Sequence, residues 1–253
     1  NNSCAYDASF TILFNLWCSD INFWTDELCA IGNQFIIDLV NGFVEVNSNF
    51  RTIESVRDDV RRKLEIFNPR DLQFGHFAAI DDVFKVILGS EAPVRTSSYI
   101  CANNHVRRLN SHSNFVVMSG ARSHISTSSW ASGPNEETAH LCHRCGYEVY
   151  IKHEFLVLPS ILVFDFSGHH LNIDPTIQIT HNGSNYRFRL AGIIYFGQAH
   201  FISQIILQDG QVWLHDGITT GRNMTYKGLI TPNPADLYTS ENKTAVCAIY
   251  IKD

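Results

Sequence analysis

The sequence predicts an α+β fold, with a helical N-terminal part and an antiparallel β-sheet in the C-terminal part. Up to about residue 91, apolar residues recur at helical spacing, whereas short β-rich runs separated by Gly, Asn and Asp follow residue 155. The chain has 253 residues and is 45% hydrophobic, which is enough for one large core. We therefore expect a single domain over 1–253.

The first helix is predicted from Ala5 to Trp17, with Ser3 as its N-cap and Cys4 in its first turn. Its apolar positions at helical spacing are Phe10, Leu13, Phe14 and Trp17. Further helical segments are expected within 23–46, 52–67 and 75–89. Residues 1–91 are thus predicted to form a helical lobe.

The middle of the chain, from about residue 92, is rich in Ser, Asn, His and Gly. The insert from Gly120 to Thr138 is especially polar and predicts a loop or mobile tip. From residue 154 onwards, β-rich runs occupy 154–166, 171–180, 186–196, 200–208, 211–217 and 245–252. Asp209-Gly210 predicts a hairpin turn between two of these strands.

Charge and composition exclude several classes of protein. The net charge is −6 and basic residues are scattered, so nucleic acid is not an expected partner. No apolar run reaches the roughly 18 residues that span a bilayer, so no membrane association is expected.

The cysteine count bears on the cellular compartment. Seven cysteines are too few for a disulfide scaffold and favour a reducing, intracellular compartment, the cytoplasm or nucleus. Sequons at Asn1, Asn182, Asn223 and Asn242 are the evidence for secretion instead. We expect a monomer.

Cys4 is the first candidate for chemistry. A thiol attacks as the thiolate, which the unsatisfied N–H groups and the dipole of a helix N-terminus favour. Such a nucleophile needs an imidazole and a group that orients it. His200 begins one predicted strand and Asp216 follows the next, so an antiparallel pairing brings both side chains together. Taken singly, a cysteine is more often a small buried hydrophobe and a histidine more often structural.

The chain resembles the catalytic domain of the ubiquitin-specific proteases, which are papain-like cysteine peptidases. NNSCAYDAS resembles the Cys box GNTCYMNS, with Asp7 at its later Asn. LVLPSILVFDFSG, over 156–168, is similar to LPPVLxIHLKRF, and YRFRLAGIIYFGQAHFISQI is similar to the segment that carries the catalytic histidine. QVWLHDG is similar to WYxFDD, and GHFAAIDDVFKVIL loosely matches QQDAxEFLxxLL.

The resemblance implies a thumb, palm and fingers architecture, with a helical thumb over 1–91, zinc-binding fingers over 92–155 and a β palm over 156–253. It implies a cysteine isopeptidase that removes ubiquitin or a ubiquitin-like modifier from conjugates through an acyl-enzyme. Cys4, His200 and Asp216 match the catalytic positions. The alternatives are a protease for SUMO or NEDD8, a peptidase acting on ordinary peptides, and a catalytically impaired module that binds a modifier.

Two positions depart from the family pattern. The family has an amide donor for the oxyanion five residues before the nucleophile, but only three residues precede Cys4. Asn2 is therefore the candidate donor and Asn1 a weaker one, with a donor in an upstream segment or backbone N–H groups around Cys4 as the alternatives. Ala199 stands where the family has a glycine that lines the path of the substrate's Gly-Gly tail.

A metal site is predicted in the fingers. Cys142-x-x-Cys145 supplies two thiolates on a tight turn, and Cys101 with His105 completes a Cys3His set suited to a structural Zn²⁺. Many members of the family hold zinc at the corresponding place. His140, His143 and His112 compete with His105 as the fourth ligand, and a redox pair or a relic of a lost site is the alternative. Cys18, Cys29 and Cys247 lie in apolar segments and are expected in the core.

Overall fold

The computed structural model describes residues 2–118, 125–133, 135–166 and 170–253, without the side chains of 135–137 and 139. The α-helices in these ranges are α1 Cys4–Ser19, α2 Ile21–Cys29, α3 Gln34–Asn47, α4 Ile53–Phe67, α5 Ile80–Ile87 and α6 Thr127–Ser132. The first five confirm the helical N-terminal part. The predicted segment 23–46 is divided, because Oδ1 of Asn33 accepts the N–H of Phe35 and begins a new helix, α3.

The strands are β1 Arg95–Cys101, β2 Val106–Ser111, β3 Phe115–Val117, β4 Asn135–Leu141, β5 Glu148–Phe155, β6 Ile161–Asp165, β7 Thr176–His181, β8 Ser184–Gly197, β9 His200–Ile206, β10 Gln211–His215, β11 Thr225–Leu229, β12 Thr239–Ser240 and β13 Lys243–Lys252. A 3-10 helix lies at Pro234–Leu237. Together with the helices, these strands confirm the predicted α+β class.

The strands form two sheets. A four-stranded sheet has the order β2-β1-β5-β4, and a nine-stranded sheet has the order β11-β10-β9-β8-β13-β6-β3, with β7 added to β8 and β12 to β13. The described pairings are antiparallel except that of β3 with β6, which is parallel. The predicted Asp209-Gly210 turn joins β9 to β10, and Gly210 takes a positive φ of 82° there.

Helix α1 packs directly on the nine-stranded sheet. At Gly192 in β8, an added Cβ would lie 2.8 Å from Cδ1 of Ile12, so only glycine permits this close approach. One hydrophobic cluster joins the helices to this face of the sheet and includes Trp17 and Trp24. A second cluster covers the other face and includes Trp130 of α6. The sheet is therefore buried on both sides and holds α1 in a fixed place.

Three local predictions were wrong, and the first two concern the polar insert and Cys18. The polar insert is not a loop throughout, because α6 and the start of β4 lie in its described part. A reciprocal capping box between Ser126 and Ser129 starts α6, and the fully buried Trp130 anchors it on Phe164. Cys18 is exposed rather than in the core, while Cys247 is buried as expected and Cys29 is partly buried.

Ser3 does not cap α1. Its backbone is already close to helical, with φ −96° and ψ −1°, and its hydroxyl donates to Oδ2 of Asp7 at 2.7 Å. The first turn is thus held by a side-chain contact within the turn. No helix within the described ranges has both the length and the apolarity that crossing a bilayer requires.

Candidate active site and metal site

Cys4 is the first residue of α1 and its side chain is partly buried against the helical core. The first hydrogen bond of the helix runs from the N–H of Asp7 to the carbonyl of Ser3 at 2.8 Å. The N–H groups before Asp7 in this turn have no helical carbonyl to donate to. They leave unpaired N–H donors at the end of the helix where Cys4 lies, and such a position favours an anion.

His200 and Asp216 meet at the edge of the sheet. His200 is the first residue of β9, and Asp216 directly follows β10, the antiparallel neighbour of β9. Nε2 of His200 lies 2.8 Å from Oδ1 of Asp216, and each side chain is 14% exposed. This contact directs Nε2 toward the carboxylate and leaves Nδ1 as the ring nitrogen available for another partner.

The loop after β10 wraps around the Asp216 carboxylate. Oδ1 also accepts the N–H of Ile218 at 2.9 Å, and the N–H of Asp216 itself donates to Oγ1 of Thr220 at 3.0 Å. Burial opposes ionisation of the carboxyl, but the hydrogen bonds from His200 and from residues 218 and 219 outweigh it and lower the pKa of Asp216 to about 2. The carboxylate is therefore charged at any pH near neutral.

The next loop contact comes from His215, the last residue of β10. It is 7% exposed, and its Nε2 lies 3.1 Å from the carbonyl of Gly221, where it acts as the donor. Burial lowers the pKa of His215 below the ordinary value for histidine. A neutral imidazole with its proton on Nε2 therefore closes the loop that carries Asp216.

His200 is reached through a tight two-residue turn. Gly197 pairs with His200 across the β8–β9 hairpin, and the turn residues Gln198 and Ala199 both have positive φ, at 55° and 57°. Two-residue turns of this kind favour Asn and Gly, because other side chains are strained there. The residue just before the candidate base thus adopts an unfavourable backbone conformation.

The relation of Cys4 to this pair rests on the packing of α1. The helix lies against β9 and β8, and Oδ2 of Asp7 would be 3.6 Å from a Cβ added at Gly217, which follows Asp216. In the part of the chain that the structure describes, Cys4 Sγ makes no hydrogen bond with the His200 ring. The structure therefore pairs His200 with Asp216 and places the start of α1 beside them.

The side chain of Asn2 is not free, because it already makes a hydrogen bond. Its backbone has a positive φ of 51°, and its Nδ2 donates to the carbonyl of Gly75 at 2.9 Å. Asn1, the second predicted donor, lies outside the described residues. Near this contact, the Phe77 ring stacks on Phe201, the residue after His200, with ring centroids 5.6 Å apart. Residues 75–77 thus bridge the start of α1 and the His200 hairpin.

A groove of about 790 Å³ runs along α1 on the side of Asp7. Its walls are the connection between α3 and α4 and the loop that follows β10, and Gly217 lies in its lining. The groove therefore borders both the first turn of α1 and the loop that holds Asp216.

The four predicted metal ligands come together at the end of the four-stranded sheet where β1 ends and β2 begins. Cys101 Sγ lies 3.6 Å from His105 Nδ1 and 3.6 Å from Cys145 Sγ, and Cys142 Sγ lies 3.5 Å from His105 Nδ1. The four ligand atoms are all within 4.8 Å of one another. This group of side chains can hold a metal ion.

The spacing of these atoms fits tetrahedral coordination. Zinc bonds of about 2.3 Å to sulfur and about 2.0 Å to nitrogen place neighbouring ligand atoms roughly 3.5–3.8 Å apart. A backbone hydrogen bond near Arg144 is the main reason that the pKa of Cys142 is lowered to about 6, which favours the thiolate that a metal needs. His140 and His143 are exposed, and His112 contacts the carbonyl of Glu91 instead.

The sequence did not reveal an ion pair that reaches the first turn of α1. Nη1 of Arg57 in α4 lies 2.5 Å from Oδ1 of Asp7, and the Arg57 side chain is only 8% exposed. The sequence does contain one indication of buried partners. Arg57 and Arg61 lie four residues apart on the face of α4 that carries Val60 and Leu64. Two arginines on an apolar stripe indicate buried partners.

Comparison with solved structures identifies the fold. A chain of the SAGA Ubp8/Sgf11/Sus1/Sgf73 DUB module bound to ubiquitin aldehyde matches with a TM-score of 0.54 at 12% identity, covering 100% of this chain and 68% of the other. A SAGA DUB module with a substituted Ubp8, bound to monoubiquitin, matches with a TM-score of 0.57 at 10% identity, with 100% and 67% coverage. No family model and no curated protein matches the sequence. Over its whole length, therefore, this chain shares the α+β fold of a chain in the SAGA DUB module.

Proposed function

We propose that this protein is a cysteine-type deubiquitinase, an isopeptidase that releases ubiquitin or a ubiquitin-like modifier from conjugates. The observation that carries the proposal is the His200–Asp216 pair at 2.8 Å, set beside a helix that begins with Cys4. The similar fold of a module bound to ubiquitin aldehyde supports the choice of modifier. The resemblance of the Cys and His segments to the ubiquitin-specific proteases points the same way.

In this proposal residues 1–91 form the thumb, 92–155 the fingers and 156–253 the palm. The modifier rests on the fingers, and its extended C-terminal tail enters the cleft between thumb and palm. The ligands Cys101, His105, Cys142 and Cys145 hold a structural Zn²⁺. Bound zinc supplies rigidity to the fingers and no chemistry to the reaction, because four protein ligands leave no open position for water.

Cys4 attacks the carbonyl of the modifier's terminal glycine as the thiolate. A C–S bond forms, and the developing oxyanion accepts hydrogen bonds from backbone N–H groups at the start of α1. Asn2 is the side-chain candidate for the same task, although one of its N–H groups is already donated to Gly75. The backbone donors therefore carry most of this stabilisation.

His200 transfers the protons. In its protonated form it donates from Nδ1 to the departing lysine amine as the C–N bond breaks, which leaves an acyl-enzyme. The same nitrogen then takes a proton from water, which attacks the thioester and releases the modifier with a free carboxylate. Asp216 holds Nε2–H and so fixes the tautomer and the orientation of the ring.

The proposed protein acts as a monomer inside the cell, in the cytoplasm or nucleus. The seven cysteines form no disulfide in the structure, which fits a reducing compartment.

The test uses probes of ubiquitin, SUMO and NEDD8 that carry a C-terminal electrophile, with intact mass as the readout. We expect one adduct with ubiquitin, lost in Cys4→Ala and retained in Cys18→Ala, the control for an exposed thiol. An adduct with SUMO or NEDD8 alone would reassign the modifier. If no probe reacts but a general epoxide inhibitor of cysteine peptidases labels Cys4, the protein is an ordinary peptidase. If neither reacts, the impaired binding module replaces the enzyme.

A further inference from the structure

Asp7 contacts the flanks of two proposed catalytic residues. One turn after Cys4 in α1, it accepts the hydroxyl of Ser3, the residue before Cys4, at Oδ2 and 2.7 Å. The same oxygen would lie 3.6 Å from a Cβ added at Gly217, the residue after Asp216. One carboxylate therefore sits between the start of the nucleophile helix and the loop of the candidate orienting residue.

A negative charge at this place needs compensation. Residues three apart on a helix are neighbours, so the Asp7 carboxylate lies on the same side of the first turn as Cys4. A like charge nearby disfavours a thiolate.

Arg57 supplies a cation that compensates this charge. Its Nη1 lies 2.5 Å from Oδ1 of Asp7, and it also pairs with Asp58 at 2.8 Å. Burial disfavours the charged guanidinium, but its hydrogen bonds and charge interactions with Asp7 and Asp58 outweigh this and raise the pKa of Arg57. Arg57 therefore carries its positive charge at neutral pH.

The helix that carries Arg57 is itself held against α1. Arg61, one turn further along α4, is fully buried, and its guanidinium carbon lies 4.8 Å from the ring centroid of Tyr6 and 4.6 Å from that of Phe74. Because Tyr6 is the neighbour of Asp7 in α1, these contacts fix the first turn against α4. Arg57 is thus presented to Asp7 by a rigid support.

We propose that Arg57 is a positioning residue that acts through Asp7: the ion pair fixes the first turn of α1 against the Asp216 loop and neutralises the carboxylate beside Cys4. This inference depends on the proposed function only for the role of Cys4 as nucleophile. It requires no particular modifier. The ion pair joins residues that are 50 positions apart in the sequence, and it links α4 to the first turn of α1.

Several other charged or titratable groups surround the first turn of α1. From the elements packed against it they are Glu54, Asp58 and Arg61 of α4, Asp82 of α5, His200 of β9, His215 of β10 and Asp216 of the following loop, with Tyr6 on α1 itself. The test must therefore separate Arg57 and Asp7 from these groups, and a double-mutant cycle does so.

The experiment measures the rate at which iodoacetamide alkylates Cys4 as a function of pH, by mass spectrometry of the peptide that contains it. This readout needs no ubiquitin, so it stands even if the proposed substrate is wrong. Arg57→Met should move the midpoint of the profile up by about one pH unit, and slow alkylation at neutral pH up to about tenfold, since an unbalanced like charge disfavours the thiolate. Asp7→Asn should move the midpoint down, and the double variant should return it close to wild type.

Three controls keep the result interpretable. Cys18 is an exposed thiol in the same molecule, and its alkylation should not change in any variant. Arg62→Met removes an arginine of α4 that is 62% exposed and paired with Asp59, and it should leave the Cys4 profile unchanged. Arg57→Lys keeps the charge and should restore the midpoint.

A purely structural role gives a different pattern. Arg57→Met and Asp7→Asn would then lower the melting temperature and shift the Cys4 midpoint in the same direction or not at all, and this result would overturn the proposal. If Arg57→Met does not fold, Asp7→Asn and Arg57→Lys still decide the matter. A downward shift in Asp7→Asn, with an unchanged midpoint in Arg57→Lys, is the outcome that the proposal requires.

Discussion

Nε2 of His200 lies 2.8 Å from Oδ1 of Asp216, and this contact joins the first residue of β9 to the loop that follows β10. Both residues are set by the β9–β10 hairpin, whose register pairs His215 with Ser203. The geometry therefore does not depend on a flexible segment. It leaves the Nδ1 side of the imidazole free for the proposed nucleophile, Cys4.

We expect Asp216→Ala to reduce kcat by about 10²- to 10⁴-fold, because the His200 ring loses the group that fixes its tautomer. The measurement is the steady-state rate on a fluorogenic ubiquitin conjugate. Asp26→Ala, which alters an exposed aspartate of α2, is the matched control and should leave the rate unchanged. A normal rate in Asp216→Ala would remove this residue from the mechanism.

Any loss of activity at mildly acidic pH should not come from protonation of Asp216. Because the folded pKa is lowered from 3.8 to about 2, the ionised carboxylate contributes stability that is present above pH 4 and lost as the pH falls toward 2. Urea unfolding of wild type and Asp216→Asn should therefore differ at pH 7 and converge near pH 2. A difference that already vanishes at pH 5 would contradict the lowered pKa.

His215 should make the fold less stable in mild acid. Its pKa is lowered by burial, so below about pH 6.5 the unfolded chain binds more protons than the folded one. The free energy of unfolding therefore decreases as the pH is lowered. His215→Gln, which can still donate to Gly221, should flatten this fall between pH 6.5 and 5. Thermal melts across that range provide the measurement, with the exposed His143→Gln as the control. Equal slopes in wild type and His215→Gln would refute the assignment.

Removal of metal should destabilise the protein through the four-stranded sheet. We expect one zinc per chain by elemental mass spectrometry, and a melting temperature at least about 5 °C lower after chelation, because structural zinc contributes folding energy. Cys142→Ser should lose the metal and reproduce the shift, whereas Cys18→Ala should do neither. Full stability and no bound metal in the wild type would favour the relic of a lost site.

Ala199→Gly should stabilise the protein by about 0.5–1 kcal/mol. Ala199 has a φ of 57°, where a Cβ is strained and glycine is not. Ala30→Gly is the matched control and should destabilise, since Ala30 has an ordinary φ of −64°. Chemical denaturation of the three proteins decides the point, and a loss of stability in Ala199→Gly would show that the methyl group has a compensating contact.

The sequence predicted the division into helices and strands well, because both parts have strong periodicity over long stretches. His200 and Asp216 could be paired in advance because a recognisable Asp-Gly turn joins their strands. Helix α6 was missed because half of its residues are serine and its stability comes from Trp130, which packs on a distant strand. The parallel strand β3 has three residues, too few to show any period.

Side-chain partners far apart in the chain were harder to predict. Ser3 looked like an N-cap because its residue type and position suited one, yet its hydroxyl is taken by Asp7. The partner of Asp7, in turn, lies on another helix. No local pattern specifies such a pair, since it depends on how α4 crosses α1.

The position of β13 has a consequence for how the molecule is made. This strand, Lys243–Lys252, lies between β8 and β6 in the middle of the nine-stranded sheet. During synthesis, β8 and β6 therefore emerge before their shared neighbour and expose unpaired edges that can join other chains. The part of the sheet that begins with β8 and the part that begins with β6 therefore cannot join until β13 has left the ribosome. A nascent chain halted before that point would hold the two parts of the sheet as separate pieces, each with an edge open to pairing with other chains.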